Sequence, residues 1–258
     1  MKMYPCVCLD LDGTMYRGTD VVPFAAEFVR SLQSQGIQPF FITNNASKTP
    51  TQLVEKLHSF GIKTDEEHVV SSALATAYYV KTRYPNQQVF AIGGEGVQHA
   101  LQAAHVSIVK ENSDVVVMGL DRELNYDKLA QGCLEVARHR EFVVTNGDKK
   151  FPTEVGMYPG NGALAKVIEH ATGVEPTIIG KPFGYMLEMI QAMHDFAKED
   201  MVIVGDNYDT DILAGIHFGI DTVHVNTGVS STVEVQEKDL KPTYLLENLR
   251  EWTLELSH

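Results

Sequence analysis

The stretch Cys6-Val7-Cys8-Leu9-Asp10-Leu11-Asp12-Gly13-Thr14 is apolar for four residues and then turns abruptly polar. A short continuous apolar run that stops at Asp-x-Asp-Gly is how a strand buried on both faces of a parallel sheet enters a loop. A helix pattern follows. Pro23 suits its first turn, Phe24, Phe28 and Leu32 recur every four residues with Ala25 and Val29 beside them, and Gly36 fits the position just past its end. Residues 37–42 read as the next strand, stopping at Thr43-Asn44-Asn45. Pro39 has no N–H for a ladder and is placed at that strand's start. Thr49 as N-cap, Pro50 at the first helical position and Gln52 three residues on then predict a capped helix closing at Gly61.

Strand-like runs recur at 89–92, 114–118, 142–145, 177–179, 201–204 and 222–225, mostly separated by enough chain for a helix. This alternation predicts an α/β fold, with parallel strands, right-handed crossovers and helices on both faces. Ligands of such sheets sit at the carboxyl ends of the strands. The polar groups Asp10/Asp12, Thr43/Asn44, Lys181 and Asp206/Asp211 each follow a predicted strand.

The composition excludes several classes. The chain has 258 residues, a formal net charge of −13, 44% hydrophobic and 21% charged residues, with no low-complexity run. A globular chain of this size buries roughly 70–75% of its unfolded surface and needs no metal or disulfide staple to fold. The negative charge, with no basic aromatic stripe, argues against a nucleic-acid partner. The apolar runs are strand-sized and the first residues lack a signal-peptide core, so the expectation is a cytoplasmic protein without a membrane span. Cys6 and Cys8 alternate onto one face of an apolar run and read as buried thiols, not a metal pair, since no second Cys/His pair lies at zinc spacing. Gly93-Gly94-Glu95-Gly96 lacks the third glycine of a dinucleotide fingerprint and reads as a tight strand-to-helix turn. Met186, Met189, Ile190 and Met193 have helical spacing and read as core.

Carboxylates delivered together by separate strand ends repel one another: at an effective dielectric of about 20, two like charges ~4 Å apart cost on the order of 4 kcal/mol. They call for a counter-cation, and an oxygen-only donor set without His or Cys selects a hard divalent ion such as Mg²⁺ over Zn²⁺. Lys181, in Gly180-Lys181-Pro182, is the basic residue among these strand ends. A lysine and a metal beside carboxylates suit a transferring phosphoryl group, whose catalysis is largely positioning and charge stabilisation. Taken singly, Asp10 and Asp12 could be turn carboxylates and Asp211 a plain helix N-cap.

In their order and spacing, Asp10-Leu11-Asp12-Gly13-Thr14, Thr43-Asn44-Asn45, Lys181-Pro182 and Gly205-Asp206-Asn207…Thr210-Asp211 resemble the four motifs of the haloacid dehalogenase-like phosphatases. Thr43-Asn44-Asn45-Ala46-Ser47, Thr145-Asn146-Gly147-Asp148 with Pro159-Gly160-Asn161-Gly162-Ala163, and Gly180-Lys181-Pro182 resemble the NagD-like, nitrophenyl-phosphatase subgroup. The resemblance implies a Rossmann-like, doubly wound core over 1–79 and 179–258, interrupted by an α/β cap at 80–178. It implies a phosphomonoester hydrolase whose nucleophile is Asp10 and whose general acid and base is Asp12. Mg²⁺ would be held by Asp10, the carbonyl of Asp12 and Asp206, with Asp211 orienting Asp206 or a bound water. Thr43, Asn44 and Lys181 would bind the phosphoryl group, and Asn207, Tyr208, Asp209 and Thr210 would line the site. Asp148 is expected to reach the leaving group and help set specificity. The implied substrate is a small phosphorylated metabolite (a sugar phosphate, nucleotide or aryl phosphate), and a homodimer through the cap is a further expectation. The alternatives are a phosphotransferase or mutase on the same scaffold, and a non-catalytic phospho-acceptor module, against which stand Asp12 and the length of the chain.

Overall fold

The computed structural model describes residues 2–252. Its compact parts are two: a first unit made of 1–43, 50–70 and 181–258, and a second made of 44–49 and 71–180. In chain order the first unit begins with β1 (Cys6–Asp10), the hairpin β2 (Tyr16–Arg17) and β3 (Asp20–Val21), α1 (Ala25–Ser34), β4 (Phe40–Thr43), α2 (Pro50–Ser59) and β5 (Val69–Ser71). The second unit follows with α3 (Ser72–Arg83), β6 (Gln88–Ile92), α4 (Glu95–Ala103), β7 (Ser107–Val109), β8 (Val115–Met118), α5 (Tyr126–His139), β9 (Phe142–Val144), β10 (Lys150–Thr153), β11 (Gly156–Pro159), α6 (Asn161–Thr172) and β12 (Thr177–Ile178). The chain returns to the first unit through α7 (Tyr185–His194), β13 (Met201–Gly205), α8 (Leu213–Phe218), β14 (Asp221–Val225), α9 (Thr232–Glu237) and β15 (Tyr244–Leu246).

The first unit is built on a six-stranded sheet in the order β15-β14-β13-β1-β4-β5. β1 pairs in parallel with β13 on one side and β4 on the other, so the apolar run at its centre is buried along its whole length. Val7 and Leu9 face a core that also holds Phe28 and Leu32 of α1, Leu53 and Leu57 of α2, Phe41, Val204 and Trp252. Cys6 and Cys8 face the other way, fully buried, with their sulfurs 3.9 Å apart, as their alternation predicted. Gly36 ends α1 with φ +78°, as expected, whereas β4 begins only at Phe40, so Pro39, with no N–H to give a ladder, lies just outside the strand and not at its start. Pro23, by contrast, falls outside α1, whose N-cap is Phe24 in a left-handed conformation (φ +68°).

The second unit has its own parallel sheet, ordered β12-β9-β8-β6-β7, and its own core of Ile92, Val116, Met118, Val136, Phe142, Val144 and Ile168. Its antiparallel hairpin β10–β11 was not read in the sequence. The unit begins at Ser71 instead of residue 80, because α3 packs along α4, and it ends at Gly180. It also holds residues 44–49: a Cβ on Gly96 at the start of α4 would strike the backbone of Ala46 and Lys48, so only glycine lets that segment lie so close. Gly94 caps α4, the tight strand-to-helix turn predicted there. In the methionine set of α7, Met186 and Ile190 are buried but Met193 is exposed. No helix among the described residues is long and apolar enough to cross a membrane.

Candidate active site

Parallel pairing aligns the carboxyl ends of β1, β4 and β13, and the chain leaves each of them through a polar residue. Leu9 is level with Val204 and Asp10 with Ile42, so Asp10, Thr43 and Asp206 emerge at neighbouring strand ends. All three are buried. Past β1 the backbone folds tightly: the carbonyl of Leu11 accepts from Thr14, Met15 and Tyr16, and the N–H of Gly13 donates to the carbonyl of Tyr16. Gly13 has φ +102°, and a Cβ there would run into the Asp206 carboxylate.

Asp206 is fully buried and held by donors. Thr14 Oγ1 donates to its Oδ1 (3.1 Å) and the Val229 N–H to its Oδ2 (2.6 Å), while the Ser230 N–H donates to its carbonyl. The loop after β14 supplies the two backbone donors and passes so near at Gly228 that a side chain would collide with the carboxylate. Thr227 ties the loop back by donating to the Gly13 carbonyl, and Arg17 donates to the Thr227 carbonyl. Sequence reasoning assigned no role to Thr14, Thr227, Gly228 or Val229; Thr227-Gly228, polar and turn-prone after a strand, was the available signal.

Asp211 lies in a π-helical turn (Tyr208–Ile212) that precedes α8. Its Oδ2 accepts from the Asn207 N–H (3.1 Å) and its Oδ1 from Lys181 (2.6 Å). The capping side chain here is Asn207, which accepts from the Asp209 N–H, so Asp211 is not the N-cap that its position allowed. Lys181 is only 4% exposed and bridges Asp211 to Asp10. Asp10, Asp206 and Asp211 thus offer carboxylate oxygens within 4.8 Å of one another.

The electrostatics are those of a set short of positive charge. Burial, then Asp211, pushes Asp10 well above the carboxylate range despite Lys181. Burial and Asp211 likewise raise Asp206 to about 6, against the donors from Val229 and Thr14. Burial would lower Lys181, but Asp10 and Asp211 reverse this and hold it charged. One ammonium against three carboxylates leaves room for a further cation, and the all-oxygen donors fit a hard divalent ion such as Mg²⁺. Asp12 has an exposed side chain, yet desolvation raises its carboxyl above the usual value, against the pull of Lys56 and Lys181.

The other predicted site residues divide. Tyr208 turns inward, its hydroxyl donating to Leu240 and its ring packing with Ile212 and Val235, whereas Asp209 is exposed and pairs with Lys238 at 3.7 Å. Neither side chain joins the carboxylates; Asn207 contributes through its backbone, and Thr210 is half-buried on the same turn. In the second unit, Asn44 Nδ2 donates to Asp148 Oδ1 (3.3 Å), joining residues 104 positions apart. Asn146 Nδ2 and Ser72 Oγ donate to the Asn44 carbonyl. Gly160 and Gly162 press against the backbone of 147–148, so the turn carrying Asp148 is tightly packed.

An α/β sheet that gathers buried aspartates and a lysine at its carboxyl edge suits phosphoryl chemistry. Residues 7–107 match the family described as haloacid dehalogenase-like hydrolase, and residues 178–252 match one described as HAD-hydrolase-like. The chain is 42% identical over 252 residues to the 5'-nucleotidase YutF of Bacillus subtilis, covering 98% of each chain. It is 44% identical over 250 residues to an acid sugar phosphatase of Staphylococcus epidermidis, covering 96% of each. Its structure resembles that of a thermostable NPPase double mutant from Geobacillus stearothermophilus (TM-score 0.91, 42% identity, 98% and 99% of the two chains). The p-nitrophenyl phosphatase of Archaeoglobus fulgidus is similar at a TM-score of 0.92 and 28% identity, over 98% and 100% of the chains. The chain belongs to the haloacid dehalogenase-like hydrolases, and the resemblance to their NagD-like subgroup holds. It is a phosphoric monoester hydrolase.

Proposed function

We propose that this protein hydrolyses small phosphomonoesters through an aspartyl-phosphate on Asp10. The observation that carries the reading is Lys181, buried and bonded to both Asp10 and Asp211 beside Asp206. An Asp10 oxygen attacks phosphorus as the bond to the leaving oxygen breaks, and Asp12 gives that oxygen its proton. Asp12 then takes a proton from water, which attacks the phosphoryl group and frees Asp10. Lys181, the Thr43 hydroxyl and the Asn44 amide bind the phosphoryl oxygens. Asp10, Asp206 and the Asp12 carbonyl would hold Mg²⁺, which when bound neutralises carboxylates and phosphoryl oxygens alike. The second unit, with Asp148 on its packed turn, is the specificity-setting cap.

Its relatives are named 5'-nucleotidase, acid sugar phosphatase and p-nitrophenyl phosphatase, which supports a small phosphorylated metabolite or aryl phosphate as the substrate class. The test is phosphate release from a panel of phosphomonoesters with Mg²⁺ and with chelator, in wild type and Asp10→Asn. Activity is expected only with metal and with Asp10. Turnover that survives chelation, or persists in Asp10→Asn, overturns the mechanism.

A further inference from the structure

Helix α2 brings a cation to a ring that belongs to the Asp12 turn. The Lys56 ammonium lies 3.7 Å from the centroid of the Tyr16 ring, and Phe60 packs on the same ring with centroids 5.3 Å apart and planes 31° from parallel. Tyr16 is 1% exposed and Lys56 half-buried, so this contact is partly shielded from water, where a cation holds an aromatic face best. Leu53 and Leu57 anchor α2 in the core on either side of Lys56. The position of the ammonium is therefore set by a packed helix.

Tyr16 in turn grips the residues flanking Asp12. Its N–H donates to the Leu11 carbonyl at 3.2 Å, its carbonyl accepts from the Gly13 N–H at 2.8 Å, and Asp12 and Tyr16 form a bridge. The Asp12 side chain itself is exposed. The backbone on both sides of Asp12 is thus tied to Tyr16.

We infer that Lys56 is a positioning residue for Asp12: with Phe60 it clamps the Tyr16 ring, and Tyr16 holds the turn that aims the Asp12 carboxyl. The inference rests on Asp12 being the general acid of the proposed mechanism. Positioned proton transfer contributes about 10²–10⁴-fold, and a small misplacement forfeits part of it. The loss depends on the leaving group. A basic leaving oxygen needs the proton of Asp12 as its bond to phosphorus breaks, whereas p-nitrophenolate departs with little help.

The experiment measures kcat/KM, which covers steps through loss of the leaving group, over aryl phosphates from p-nitrophenyl to phenyl phosphate. Lys56→Met and Lys56→Gln are each expected to fall by no more than about threefold with p-nitrophenyl phosphate but about tenfold or more with phenyl phosphate. Lys56→Arg, which keeps a cation over the ring, retains the wild-type dependence. Phe60→Leu, which loosens the same clamp and leaves the charge that acts on Asp12 in place, steepens the dependence; a wild-type dependence in Phe60→Leu overturns the clamp. Asp12→Asn shows the steepest dependence of all. A parallel loss across the series in Lys56→Met and Lys56→Gln, or a wild-type dependence in both, overturns the role of Lys56 while a steep Asp12→Asn leaves the mechanism standing. A flat Asp12→Asn series overturns the general-acid reading and the role of Lys56 with it.

Discussion

Replacing Lys181 with methionine removes the charge that the first unit sets against its carboxylates, with little change in volume. At 2.6 Å and an effective dielectric of about 20, the attraction to Asp211 alone is about 6 kcal/mol, and Asp10 makes a second contact. Much of that offsets the desolvation of a buried ammonium, so the net loss expected on breaking such a pair is about 3–5 kcal/mol. Trp252 is the sole tryptophan and is buried among Tyr4 and Phe28 in the first unit's core, so its fluorescence during urea unfolding reports that unit. At pH 7 in chelator, Lys181→Met should lose about 3–5 kcal/mol. Saturating Mg²⁺ should stabilise the variant more than the wild type, because the ion meets a site one charge more negative, while kcat stays down by about 10³-fold. A loss below about 1 kcal/mol in chelator, or equal stabilisation of both proteins by Mg²⁺, would refute the argument that Lys181 is the counter-charge.

Gly13→Ala forces a Cβ onto the Asp206 carboxylate at φ +102°, so Mg²⁺ affinity by titration calorimetry should fall at least about tenfold; unchanged affinity means Asp206 does not depend on that turn. Asp148→Ala should reorder a panel of phosphomonoesters by kcat/KM while keeping general phosphatase activity, and an unchanged ranking discards its role in selection. Glu135, buried in α5, accepts from the N–H groups of Asn112 and Ser113 and the Ser113 hydroxyl; burial would raise its carboxyl, but these donors and Arg138 hold it below the usual value of 4.5. A lowered folded pKa gives stability that is present above 4.5 and lost as pH falls through the folded value, so Glu135→Gln should cost about 1–3 kcal/mol at pH 7 and progressively less in acid. A pH-independent difference between the two proteins' chemical denaturation would count against it.

The strands at the centres of both sheets were legible because burial on both faces leaves an unbroken apolar signature, as in β1, β8 and β13. The short edge strands β5, β7 and β15, three residues each, carry too little pattern to register. The hairpin β10–β11 contains Pro152 and Pro159, which argue against a strand when read locally. Alternation also cannot say which strands share a sheet, so the entry into the second unit at Ser71, decided by α3 packing on α4, lay beyond it.

For the site, the asymmetry has a physical cause. The gathering of Asp10, Lys181, Asp206 and Asp211 is legible because charged side chains at the ends of buried strands stand out in the sequence. Val229 acts through a backbone N–H, and Gly13 and Gly228 act by lacking a Cβ, contributions that residue identity scarcely encodes. The side chains of Tyr208 and Asp209 lie apart from the carboxylates because neighbours on a helical turn point in different directions, one into the packing against Ile212 and Val235, the other to Lys238.

The donors around Asp206 show how the first unit tolerates such a cluster. A carboxyl pushed to about 6 by burial and by Asp211 would otherwise escape by protonation or by moving to solvent. Protonation is opposed by Thr14 Oγ1 and the Val229 N–H, which favour the charged form, and movement by the close backbone at Gly13 and Gly228. Both devices oppose the routes by which the repulsion would relax. The unit therefore keeps its carboxylates charged and clustered, which is the preorganisation that the proposed phosphoryl transfer would require.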